Sequence, residues 1–255
     1  MIFRVVIIPL MIGVVAVAMT CLPAAAEDGG TAAQPEPMVF QRVAVASFLV
    51  GRHKPHMDES MDLTLSCPIG EICKDDPTIL PHAGITLTRL VNEKLRSRFT
   101  PWVVGRAQVQ AAEMQMALDQ GRDTPIDLAR RLGRLVEAEV VIIGIVWRYR
   151  ERGVVAERPD GGASVAFALY AVEAATGRLL WREIYDATQQ TVLEDLFQAR
   201  KQIRMGLRWL NADELAAHGV GEVLRKWPDH LRPVVDPRGP RQTDGASPGV
   251  GAPSQ

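Results

Sequence analysis

Residues 138–153, "AEVVIIGIVWRYRERG", decide how this chain folds. From Val140 to Trp147 there is no polar side chain, and branched residues predominate. Branched side chains favour a pleated, extended backbone, and an apolar run without alternation needs cover on both faces. The run therefore predicts a central strand. Beyond it, Trp147, Arg148, Tyr149 and Arg150 alternate, which marks the strand leaving its cover at one end.

Working outward, "FQRVAVASFLV" (40–50) carries apolar groups on both faces and predicts another covered strand. "HAGITLTRLVNEKLRSRF" (82–99) approximates helical spacing, with basic residues at its carboxyl end. "PWVVG" (101–105) reads as a short strand, and "RAQVQAAEMQMALDQ" (106–120) as a helix stopped by Gly121. "TPIDLARRLGRLVEA" (124–138) predicts a helix capped by Thr124, with Pro125 in its first turn. "ASVAFALYAVEAATGRLLWREIYDAT" (163–188) predicts two strands around a turn in which Gly177 supplies a positive φ. "NADELAAHGVGEVLRKW" (211–227) predicts an amphipathic helix opened by Asn211, with Glu214 completing a capping box. Helical connections between the early strands imply parallel pairing, and the hairpin makes the far side antiparallel. The expected fold is α/β: a mixed β-sheet of about five strands, helices packed on it, and one long irregular insertion.

The flanks are of another kind. Residues 1–26 join Arg4 to a long apolar run ending in "PAAA", the pattern of a secretory signal cleaved after Ala26. Lipid attachment at Cys21 is the alternative, although Ala18 and Thr20 before it depart from the usual box. Residues 27–39 read as a linker, 40–228 as a single domain, and 229–255 as a disordered Pro/Gly-rich tail. The chain has 29 basic and 30 acidic residues; losing Arg4 with the signal leaves 28 against 30. That balance lacks the basic excess of a nucleic-acid binder.

The insertion, residues 50–82, holds Cys67 and Cys73. In an oxidising compartment such a pair reads as a disulfide, whose seven-residue loop would remove about 2.4 kcal/mol of unfolded-chain freedom. Zinc is the alternative cofactor, with His53, His56 and His82 joining the two thiolates, although five intervening residues exceed the usual ligand spacing. Redox chemistry would need a Cys-x-x-Cys motif, which is absent. In "RHKPHMDES", Asp58 and Glu59 stand beside His53 and His56, and a solvated polar loop explains them. Two clusters suit partner contact. One is Trp147, Arg148, Tyr149 and Arg150, since aromatic and arginine groups favour protein interfaces. The other is Asp186, Thr188, Gln189 and Gln190, where the last strand leaves the sheet. There is no His-Glu-x-x-His, Gly-x-Ser-x-Gly, Walker loop or dinucleotide fingerprint, so no catalytic residue and no cofactor is assigned.

The segments "RVAVASFLV", "LTRLVNEKLRSRFTPWVVGRAQVQAAEMQ", "LARRLGRLVEAEVVIIGIVWRYR" and "VAFALYAVEAATGRLLWREIYDATQQ" follow one another in a familiar order. Over residues 40–190 the chain resembles exported modules of the TolB amino-terminal, CsgG and LpoB type, with "EAATGRLLW" the most telling part. The resemblance implies a non-enzymatic periplasmic module that docks on other envelope proteins, often from a lipid anchor. A CsgG-like pore would need an extra alternating hairpin of about nine to eleven residues per strand, and none is present. The oligomeric state is left open.

Overall fold

The computed structural model describes residues 37–55, 63–153, 162–189 and 210–234. The chain divides into two compact units, residues 1–35 and 36–255, and every described residue lies in the second. The apolar run within residues 138–153 forms β4 (Val140–Arg150). It is flanked on one side by two short parallel strands, β2 (Val43–Val45) and β3 (Leu49–Val50). On the other side it pairs antiparallel with β5 (Ser164–Glu173), which pairs with β6 (Leu179–Thr188). This is a five-stranded mixed sheet in the order β2–β4–β5–β6, with β3 also on β4. The turn between β5 and β6 uses Gly177 at φ 80°, as the hairpin requires.

Each face of β4 enters a separate core. Val140, Ile142, Val146 and Tyr149 pack in one with the helices α2 (Ala83–Phe99) and α5 (Ala212–Arg225). Val141, Ile143, Ile145 and Trp147 pack in the other with α1 (Ile69–Ile72), α3 (Arg106–Gln115) and α4 (Pro125–Val136). The capping boxes are as expected: Thr124 with Asp127 opens α4, and Asn211 with Glu214 opens α5. Among the described residues no helix is long and apolar enough to cross a membrane.

Several expectations are corrected. "FQRVAVASFLV" is two strands, because the amides of Ser47 and Phe48 are taken by Glu113 and Thr88 side chains from the helices instead of by a neighbouring strand. "PWVVG" contributes only a bridge from Val103 to Val43. The helix begun at Arg106 ends at Gln115, five residues early. The insertion is less irregular than its composition implies: Leu65, Ile69 and Ile72 are buried, the last two in α1. Met38 and Val39, placed in the linker, belong to β1 (Met38–Phe40), and Leu231, placed in the tail, belongs to β7 (Leu231–Pro233). These two strands pair in parallel. Short segments far apart in sequence carry no local signal of their pairing. The signal, most of the linker and the tail from residue 235 lie outside the described residues.

Gly144 in the middle of β4 marks a close approach. A Cβ there would meet the Phe48 ring at 2.4 Å. Gly144→Ala should therefore cost about 2 kcal/mol of stability, read as a lower denaturant midpoint. In a Phe48→Ala background the same substitution should cost almost nothing, because the ring it strikes is gone.

Candidate functional site: the charged end of the sheet

The register of β4 and β5 shifts between Val146 and Arg148. Without that bulge, strict alternation would send Arg148 and Arg150 toward the core holding Val146, and Tyr149 away from it. With it, Tyr149 joins that core, and Arg148 and Arg150 emerge on the face of Trp147. There the rows across three strands read Arg148–Ala166–Asp186 and Arg150–Ser164–Thr188. Small residues on the middle strand let long side chains meet over it. Arg148 donates to Asp186, which also faces Lys54 Nζ at 3.9 Å. Arg150 Nη2 lies 3.7 Å from Asp76, and the Ser164 and Thr188 hydroxyls are 2.7 Å apart. Arg148 and Arg150 side chains keep 23% and 26% of their surface in solvent.

The opposite face of the same strand end is a latch. The Tyr149 hydroxyl donates to Asp213 in the first turn of α5, and His82 Nε2 lies 3.1 Å from the same carboxylate oxygen. Glu151 accepts the Ala212 amide at 3.1 Å. Burial, reinforced by the carboxylates of Asp213 and Glu151, pushes the Tyr149 phenol well above its usual range. It stays a neutral donor, and α2 and α5 are tied to the end of β4.

The expected contact residues thus separate. Arg148, Arg150, Asp186 and Thr188 share one partly exposed face. Trp147 and Tyr149 are buried, at 6% and 0% exposure: Trp147 keeps the phase of Ile143 and Ile145 in one core, and the bulge turns Tyr149 into the other. Gln189 is also buried and accepts the Leu210 amide at 3.2 Å; Gln190 lies outside the described residues. Sequence alone does not point to Lys54, and it reads Asp76 and Asp213 only as a loop turn and a helix start, which they also are. Their partners are distant in the chain, 64 positions for Tyr149 and Asp213, and no local spacing signals such a pair.

Among its described residues the insertion does not gather cysteines and histidines at one point. Cys67 and Cys73 are unbridged, half-buried thiols on either side of α1. Burial raises the Cys73 thiol above its ordinary pKa, which keeps it protonated at neutral pH. His53 faces Thr64 at 3.2 Å, and His82 faces Asp213 and packs edge-on against Tyr149. His56, Asp58, Glu59 and Cys21 lie outside the described residues. Among the described residues no three His, Cys, Asp or Glu side chains converge on one point.

No protein-family model matches the sequence, and no curated protein matches it. Solved structures do resemble it. The PelC dodecamer from Paraburkholderia phytofirmans is 14% identical, over 74% of this chain and 90% of that one, with a TM-score of 0.39. The lipoprotein GNA1162 from Neisseria meningitidis is 11% identical over 66% and 94%, with a TM-score of 0.36. The LpoB C-terminal domain from Salmonella enterica is 13% identical over 60% and 86%, with a TM-score of 0.35.

Among the described residues three carboxylates are held below their ordinary pKa. At Asp76 burial pushes the pKa up, but the Thr78 hydrogen bonds and the charges of Arg150 and Arg52 prevail and hold it low. Asp127 is lowered by the Thr124 amide and hydroxyl, and Glu173 by the Thr176 hydroxyl and Arg178. A carboxylate depressed in the fold is protonated first in the unfolded chain. Its stabilisation is complete above about pH 4 and drains away as pH falls through the lower folded values. The denaturant midpoint should fall steadily below about pH 4. Asp76→Asn should shrink that fall, because one of the three groups no longer titrates.

Proposed function

We propose that this protein is a non-enzymatic protein-interaction module of the bacterial cell envelope, exported by its first 26 residues and working through the charged end of its sheet. The observation that carries the proposal is the face of Arg148, Arg150, Asp186 and Lys54. It is partly exposed and lies at the end of the sheet's central strand. A surface of charged side chains held in fixed positions suits recognition of another protein. The sequence resemblance to TolB, CsgG and LpoB modules points the same way.

A photocrosslinking residue placed at Lys54 in cells making the protein tests the proposal, with Glu93 on α2 as the control position. Discrete adducts with envelope proteins from Lys54, and none from Glu93, are the expected result. Free monomer alone from both positions would overturn it. Stoichiometric zinc in protein purified without a tag would replace it with the metal-binding alternative in the insertion.

Export has a consequence for the cysteines. An oxidising compartment favours pairing of Cys67 with Cys73, which would draw together the two ends of α1. The intact mass of the exported protein should then fall short of the fully reduced mass by one pair of hydrogens, and unfolding should release no titratable thiol. A full reduced mass would show that both stay free.

A further inference from the structure

We propose that the face of Trp147, Arg148, Arg150 and Lys54 is a docking site for the carboxylate side chains of an acidic protein segment. This rests on the interaction-module proposal and names the chemistry of the partner.

The hydrogen-bonding capacity of this face is largely unspent. An arginine carries five N–H donors in a planar fork that matches a carboxylate two bonds at a time. Arg148 spends one nitrogen, Nη2, on Asp186. Arg150 meets Asp76 only at 3.7 Å, beyond hydrogen-bond distance. The Nε atoms of both arginines and the Trp147 indole Nε1 are buried and have no hydrogen-bond partner. Trp147 itself is only 6% exposed. Leaving a buried donor unmade is costly, so three of them side by side at one strand end call for an acceptor.

Charge selects the acceptor. Arg52, Lys54, Arg148 and Arg150 bring four positive charges to the cluster, and Asp76 and Asp186 bring two negative ones. Among the described residues the surplus is two positive charges. A carboxylate with one negative charge can enter beside the two aspartates, and it is repelled less than a phosphate dianion. Shape selects the source. The Arg148 and Arg150 side chains are about three-quarters covered, whereas Lys54 keeps 56% of its side chain in solvent. Glu or Asp side chains on a flexible segment can reach between such side chains, with the more exposed Lys54 meeting them first. A flat lipid surface cannot.

Nuclear magnetic resonance of the isotopically labelled mature protein tests this through the Trp147 indole N–H and the arginine Nε–H signals. The probes are a blocked Glu-Gly repeat peptide, its Gln-Gly counterpart, acetate, inorganic phosphate, and vesicles of phosphatidylcholine with phosphatidylglycerol. The Glu-Gly peptide should shift these signals saturably and bind at least about tenfold tighter than acetate, since several carboxylates engage at once. The Gln-Gly peptide should do nothing. Arg150→Gln should weaken binding about tenfold, and the exposed Lys54→Gln by a smaller factor, with backbone amide signals of β4 and β5 unchanged as proof of folding. Absence of any shift, or a response to phosphate or vesicles equal to that of the peptide, would overturn the proposal. Cellular adducts at Lys54 that survive competition by the Glu-Gly peptide would leave the interaction module standing and remove its acidic partner. Peptide binding without adducts would do the reverse.

Discussion

The structure depends on one constraint: β4 is buried on both faces and paired along both edges. A strand of this kind cannot exist without two separate layers of cover, because either face left open would expose a row of large aliphatic groups. The chain meets the demand with α2 and α5 on one side and with α1, α3 and α4 on the other. Even the break between β2 and β3 serves it. Where the edge strand lets go, Ser47 and Phe48 are held by polar groups of the covering helices, and the Phe48 ring lies against the bare backbone of Gly144. The edge of the sheet and its two covers are thus fastened at one place.

The same constraint explains where charge appears. A strand covered on both faces can turn polar only where its covers stop, and β4 outruns them at its carboxyl end. The bulge after Val146 then changes the phase of the strand. It keeps Tyr149 inside, as the anchor for α5, and puts both arginines on the other face. The resulting ion pairs are partly exposed and contribute at most about 1 kcal/mol each to stability. Stability does not account for so many charges at one strand end. Their worth lies in being held in place, on a strand that cannot move without disturbing two cores.

The three long helices were legible because their signals are local. Asn211 with Glu214, and Thr124 with Pro125 and Asp127, state a helix start within four residues. The hairpin was legible for the same reason, through Gly177. The charged face was only half legible. Its arginines and Asp186 stood out, but alternation also promoted Trp147 and Tyr149, and it missed Lys54 and Asp76. A bulge depends on what the opposing strand does, and an ion pair between the insertion and a strand depends on how the chain folds back. The pairing of β1 with β7 was invisible for the same cause: two three-residue strands from opposite ends of the domain carry almost no periodicity.

The sequence by itself determined the central strand, the helices around it, the mixed sheet and the handedness of charge at the strand end. Each of these is encoded in side-chain type and spacing within a dozen residues. Only the tertiary structure decided which strand-end residues face solvent. It turned Tyr149 inward and both arginines to the other face, brought Lys54 and Asp76 to the arginines, and set Cys67 and Cys73 on either side of a helical turn. The physical reason is register. A single extra residue in one strand reverses the facing of every side chain beyond it, and that residue is fixed by the packing of two cores, not by any pattern within the strand.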